Sequence, residues 1–171
     1  MLTSQRIIDA INQQIGNEFS AMLQYTAIAA HFESETLPEL AAHFRAQAEE
    51  EKDHAHRFIK YVIDTGATVA IPAIPAPTNC FQFAEEAVKL SLEQEKTVTA
   101  QVNHLIQIAK EENDYMSDTF LQWFITEQLE EVASMEDLLR VVQRAGEANL
   151  LRVEDYLVRK SGSRNDGGSE N

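Results

Sequence analysis

Five glutamates and one histidine of this chain have the types and the spacing for metal chemistry. Glu18, Glu51, Glu95, Glu127 and Glu131 each stand in a seam of mostly apolar residues that steps alternately by four and three positions, and His54 follows three residues after Glu51. The first seam reads Ile11, Ile15, Glu18, Met22, Tyr25, Ala29, and the second Leu40, Phe44, Gln47, Glu51, His54, Phe58, Tyr61. The third reads Ala84, Val88, Ser91, Glu95, Val98, Val102, Leu105, Ala109, and the fourth Phe120, Phe124, Glu127, Glu131, Ser134, Leu138, Val141. Such steps follow one face of an α-helix, so the acids occupy core positions. Burying them together without counter-charge costs several kcal/mol per ion. Two cations held by bridging carboxylates remove that cost, and His54 adds a nitrogen ligand. Carboxylates with one imidazole suit iron or manganese better than structural zinc, with zinc as a competitor.

Four helices must position these residues. The first is expected over residues 4–32, capped by Thr3 or Ser4. Thr36-Leu37-Pro38-Glu39 reads as a capping box with proline early in the helix, which starts the second helix there and runs it to residue 64. So short a connection makes the two antiparallel neighbours. Residues 66–79 contain Gly66, Pro72, Pro75 and Pro77, which excludes helix. Stretched at roughly 3.3 Å per residue this segment covers about 45 Å, against about 40 Å for the second helix. It can therefore run the length of the bundle and leave helices two and three parallel. The third helix is expected over 81–112 and the fourth over 115–145, ended by Gly146. A short amphipathic segment over 147–160 must dock on something to be stable, and the Gly/Ser/Asn-rich residues 161–171 read as a disordered tail. The expected fold is thus all-α: one domain over residues 1–160, a four-helix bundle with a long crossover and a short fifth helix. The helix centres fall near residues 18, 51, 96 and 130, so the acids share one layer whichever way each helix points.

The pattern resembles that of di-iron carboxylate bundles, in which two helices supply a Glu and two supply Glu-x-x-His. The fourth helix departs from it, because Gln128-Leu129-Glu130-Glu131 replaces the second Glu-x-x-His. The two metal positions are therefore unequal, and Glu50 and Glu130 can join Glu127 around a third, more exposed cation. Tyr25 lies about 10 Å along the helix axis from Glu18, within reach of the site. Trp123 reads as packing, and His31, His43, His56 and His104 as surface residues.

The 171 residues include 14 basic and 28 acidic ones, a formal net charge of −14. That balance disfavours nucleic acid and anionic membrane surfaces and attracts cations. The single cysteine, Cys80, excludes an internal disulfide and a Cys-rich zinc or rubredoxin-type site, and fits a reducing cytoplasm. Neither a signal-peptide core nor a membrane-length apolar run is legible, so a soluble cytoplasmic protein is expected.

Over residues 7–160 the chain resembles the ferritin family, most closely the non-haem bacterial ferritins. The resemblance rests on Asn17-Glu18 through Tyr25, on Glu49-Glu50-Glu51-Lys52-Asp53-His54, on Glu95, and on Phe120-Leu121-Gln122-Trp123 running into Thr126-Glu127-Gln128-Leu129-Glu130-Glu131. It implies a ferroxidase centre with one iron at Glu18, Glu51 and His54, and a second at Glu51, Glu95 and Glu131 with Gln128 alongside. It further implies a third iron at Glu50, Glu127 and Glu130 with Glu131 shared, and Tyr25 as a redox-active neighbour. The family oxidises Fe(II) with O2 or H2O2 and stores a ferric oxyhydroxide mineral inside a 24-subunit cage, whose four-fold axis would receive the short last helix. Asp118 matches an acidic channel position of the family, whereas Leu121 stands where some members carry a second acid.

Bacterioferritins place a haem-ligating Met directly after the second-helix Glu and a His near the end of the fourth-helix motif. Here Lys52 and Glu130-Glu131 stand there, so no haem is expected. Rubrerythrin-like oxidases or peroxidases usually add a Cys-x-x-Cys domain, absent from this chain. A third reading, a helical scaffold whose seam polars only set register, expects no stoichiometric iron.

Overall fold

The computed structural model describes residues 2–166 and contains helices only among them. They are α1 (Gln5–Ser34), α2 (Pro38–Asp64), α3 (Ala84–Glu111), α4 (Tyr115–Ala145), a 3-10 turn (Glu147–Asn149) and α5 (Leu150–Asp166). The start of α1 is the expected one, with the Ser4 hydroxyl accepting from the Ile7 N–H.

The expected capping box at Thr36 does not form. Thr36 has φ 61° and serves instead to end α1. Its N–H donates to the Glu33 carbonyl, and the Leu37 N–H to the Phe32 carbonyl, the paired bonds of a Schellman ending. A residue in the left-handed region cannot also hold the extended backbone of an N-cap. The N-cap of α2 is Leu37, which has no side chain to offer. The cap arrives from the other end of the chain: the Glu154 carboxylate of α5 accepts from the Glu39 N–H at 2.8 Å and the Leu40 N–H at 2.9 Å. The third helix also begins later than expected, at Ala84, because the Glu86 carboxylate reaches back to the Gln82 and Phe83 N–H groups.

The connection after α2 is extended and lies along α1. Asn12 donates to the Thr68 carbonyl and accepts from the Ala70 N–H, while Gln24 does the same with both backbone groups of Thr78. Between these two clamps Pro72 sits on Gly16, so closely that a Cβ at position 16 would fall 2.3 Å from Pro72 Cγ. The strap thus runs the length of the bundle. Arg45 pairs with Glu33 across α1 and α2, and Arg6 with Glu111 and Glu112 at the far end of α3. Both α2 and α3 are therefore antiparallel to α1 and parallel to each other, the expected crossover.

The apolar core is split in two. One half gathers Ile7, Ile11, Ile15, Phe58, Val102, Leu121 and Phe124, and the other Tyr25, Ile28, Phe32, Leu40, Phe44, Val88 and Leu138. Between them lies a layer of buried polar side chains. Val153 and Leu157 of α5 close the second half from outside, so this helix docks on its own bundle. It also continues to Asp166, past the expected end at residue 160. Adding residues to a docked helix requires no new nucleus, and the Ser161 hydroxyl bonds back to the Val158 carbonyl. Residues 167–171, the rest of the expected tail, lie outside the described residues. No helix among the described residues is long and apolar enough to cross a membrane.

Candidate metal centre

The layer between the core halves brings α1 and α2 together at Glu18, Glu51 and His54, which are 0%, 1% and 2% exposed. One ligand atom from each lies within 4.8 Å of the others. His54 Nδ1 is 3.3 Å from Glu51 Oε2 and 4.0 Å from Glu18 Oε2, and none of these three atoms makes a hydrogen bond. Buried polar atoms are almost always partnered, so three orphans converging on one point form the kind of donor set that a cation completes. The His54 ring is wedged edge-on against Trp123 and Phe124. Trp123 does more than fill space, since its face carries the Arg57 guanidinium at 3.8 Å.

Glu95 of α3 is fully buried beside this group, and both its oxygens are engaged within the chain. The Tyr25 hydroxyl donates to Oε1, and Gln128 Nε2 of α4 donates to Oε2 at 3.1 Å. Gln128 also reaches the Glu95 carbonyl and the Thr99 hydroxyl. A second cluster opens outward: Glu50, Glu127 and Glu131 offer ligand atoms within 4.8 Å of one another, with Glu131 buried, Glu127 half-buried and Glu50 exposed. Gln47 donates to Glu50 at 2.8 Å. Glu130 is exposed and belongs to neither group.

The electrostatics follow from burial among like charges. Loss of water raises the Glu18 carboxyl well above the usual range, and the Glu51 charge adds to it. Burial and then Glu95 do the same to Glu51. Glu95 is also raised by burial, though Tyr25 and Gln128 pull it back. Burial, with Glu50 and Glu95, pushes Glu131 up to about 8, while burial and Glu95 raise the Tyr25 phenol. Without cations, the site is a stack of carboxyl groups that resist ionising.

The family profile described as a ferritin-like domain matches residues 8–145. The chain belongs to the ferritin family. It is 46% identical over 150 residues to ferritin BfrB of Mycobacterium tuberculosis, covering 88% of this chain and 82% of that one. With the bacterial non-heme ferritin of Staphylococcus aureus it shares 35% over 146 residues, covering 85% of this chain and 88% of the other. Among solved structures it superposes on an open-pore ferritin from the archaeon Archaeoglobus fulgidus with a TM-score of 0.88 at 30% identity, over 91% of this chain and 96% of that one.

Several residues around the centre of this ferritin were not singled out by its sequence. Gln14 donates to Glu18 at 2.8 Å, Thr99 receives Gln128, Gln47 holds Glu50, and Arg57 lies on Trp123. Gln14 and Gln47 stand four and three residues before the acids they bond, spacings that place side chains on one helix face, so those two contacts were legible. Among the histidines read as surface, His56 and His104 are exposed. His31 and His43 are half-buried, His31 tilted against Phe32 and edge-on to Phe81, His43 edge-on to Phe44.

Proposed function

We propose that this ferritin takes up Fe(II) as substrate, oxidises it to Fe(III) with O2 or H2O2 as electron acceptor, and stores the product as a ferric oxyhydroxide mineral. The convergence of the unpartnered atoms of Glu18, Glu51 and His54 beside Glu95 and Glu131 carries this reading. In it, Glu18, Glu51 and His54 hold one iron, and Glu51 bridges to a second held by Glu95 and Glu131 with Gln128 alongside. Glu50, Glu127 and Glu131 form a third and more open station.

The protein's own groups supply geometry, charge and protons. Carboxyls that keep their protons when metal-free release them as Fe(II) enters, so uptake exchanges protons for cations and leaves the layer near neutral. The iron pair gives up the electrons that reduce the oxidant. Tyr25, bonded to Glu95, can give one electron to the O2 or H2O2 being reduced while its proton passes to that carboxylate, which makes it a nearby redox partner. The seam of Phe58, Phe124 and Trp123 keeps bulk water from the His54 side.

Assembly into a hollow shell of 24 subunits belongs to the same reading and rests on family membership, because α5 is already supported within its own chain. A cytoplasmic location and the absence of haem complete it, with Lys52 where a haem-ligating Met would stand.

The test is anaerobic Fe(II) binding to metal-free protein followed by air. About two to three irons should bind per chain and oxidise rapidly, and Glu51→Ala or His54→Ala should slow oxidation strongly. Wild-type oxidation no faster than buffer sinks the proposal. Elution as a monomer or dimer on size-exclusion chromatography rejects the shell separately.

A further inference from the structure

Gln14 is buried, 2% exposed, and every polar group of its amide is engaged. Its Nε2 donates to Glu18 Oε1 at 2.8 Å and to Gln101 Oε1 at 3.3 Å, while its Oε1 accepts from Asn17 Nδ2 at 3.0 Å. An ionised Glu18 can only accept, so it turns the Nε2 end of the Gln14 amide towards itself, and Gln101 and Asn17, amides that can turn to suit, complete the set.

The consequence falls on the carboxylate. Glu18 is left with one occupied oxygen and one free: Oε1 is tied to Gln14, and Oε2 is the orphan that faces His54 and Glu51. A carboxylate free at both oxygens can swing and close on a cation with both. Tied in this way, it offers a single oxygen at a set angle. Glu95 contrasts with it, since both its oxygens already have donors.

We infer that Gln14 is a positioning residue that makes Glu18 a one-oxygen ligand and so keeps a coordination position beside His54 open for the oxidant. This rests on the reading of the Glu18, Glu51 and His54 group as a metal site. A single-oxygen ligand fixed in advance binds with less ordering to undergo, and an ion with fewer protein oxygens keeps an exchangeable position.

The test uses Co(II) as a redox-silent probe in full-length, metal-free protein without oxygen. Gln14→Met keeps the length and removes the donor. It should weaken the tighter Co(II) equivalent by about 10- to 100-fold, the usual effect of losing a ligand's hydrogen-bonding partner. The visible band of bound Co(II) should also lose intensity, as Glu18 closes with both oxygens and the ion moves towards six-coordination. Gln14→Leu, which also lacks the donor and adds no charge, should lose about as much affinity; it serves if the Met variant fails to fold. Wild-type affinity and an unchanged band in a folded variant overturn the inference. So does an equal loss for all Co(II) equivalents together with a lowered melting temperature, which assigns Gln14 to packing. Failure of the wild-type protein to bind Co(II) defeats the reading of the site and the inference with it.

Discussion

Replacing Glu131 by glutamine in the metal-free protein should remove one definable share of a pH dependence that the unreplaced chain displays. The unfolded chain ionises this carboxyl near its ordinary 4.5, whereas in the fold it holds its proton up to about 8, chiefly because it is buried and also because Glu50 and Glu95 are near. Between those values the native state binds the extra proton, so stability falls as pH rises through that window. At about 1.4 kcal/mol per pH unit the whole gap is worth at most roughly 5 kcal/mol per chain. From about pH 6 to about pH 8 the share of Glu131 is about 2 kcal/mol, allowing for neighbours that relax and admit water. The assay is urea unfolding of chelator-treated protein at both pH values, followed by helical circular dichroism. Subunit concentration is held constant, because the stability of an assembly depends on it. The unreplaced protein should lose stability between the two pH values, and Glu131→Gln should lose about 2 kcal/mol less. Adding Co(II) should abolish or reverse the dependence, since bound carboxylates are already ionised. Equal pH losses in the two proteins, or a wild-type protein that gains stability towards pH 8, refute the argument.

Glu154→Ala should cost about 1–3 kcal/mol, the worth of charge-assisted hydrogen bonds to backbone donors left without a replacement; faster hydrogen exchange at the Glu39 and Leu40 amides checks it, and unchanged protection there rejects the capping role. Gly16→Ala should destabilise by about 1–3 kcal/mol despite the better helix propensity of alanine, because its Cβ would displace Pro72 and lift the strap off α1; a thermal melt at or above the wild-type midpoint would contradict this.

Most of the centre was legible because helical periodicity is a local property. Glu18, Glu51 and Glu95 interrupt apolar seams at half-height, and similar helix lengths bring half-heights together in a bundle, so a shared buried layer followed without knowledge of helix direction. His54 was added by spacing alone. Glu131 and Glu127 were harder to separate, since both lie in the fourth seam; only the packing of α4 turns Glu131 inward and leaves Glu127 half-buried beside Glu50. The strap was foreseen from its prolines, yet its fastening by Asn12 and Gln24 was not, because nothing in the neighbourhood of either amide indicates which backbone will arrive.

What the sequence by itself determined is therefore the all-α fold, the crossover and the layer of acids, each of which depends on spacing within a segment and on chain lengths between segments. What only the tertiary structure decided is which oxygen of each acid is free and which is tied, and where the entrance of α2 finds its cap. Thr36 had the local chemistry for that cap but was taken by the end of α1, and Glu154, more than a hundred residues away, supplied it. Hydrogen bonds select single atoms at fixed directions, and those directions exist only after distant helices have packed.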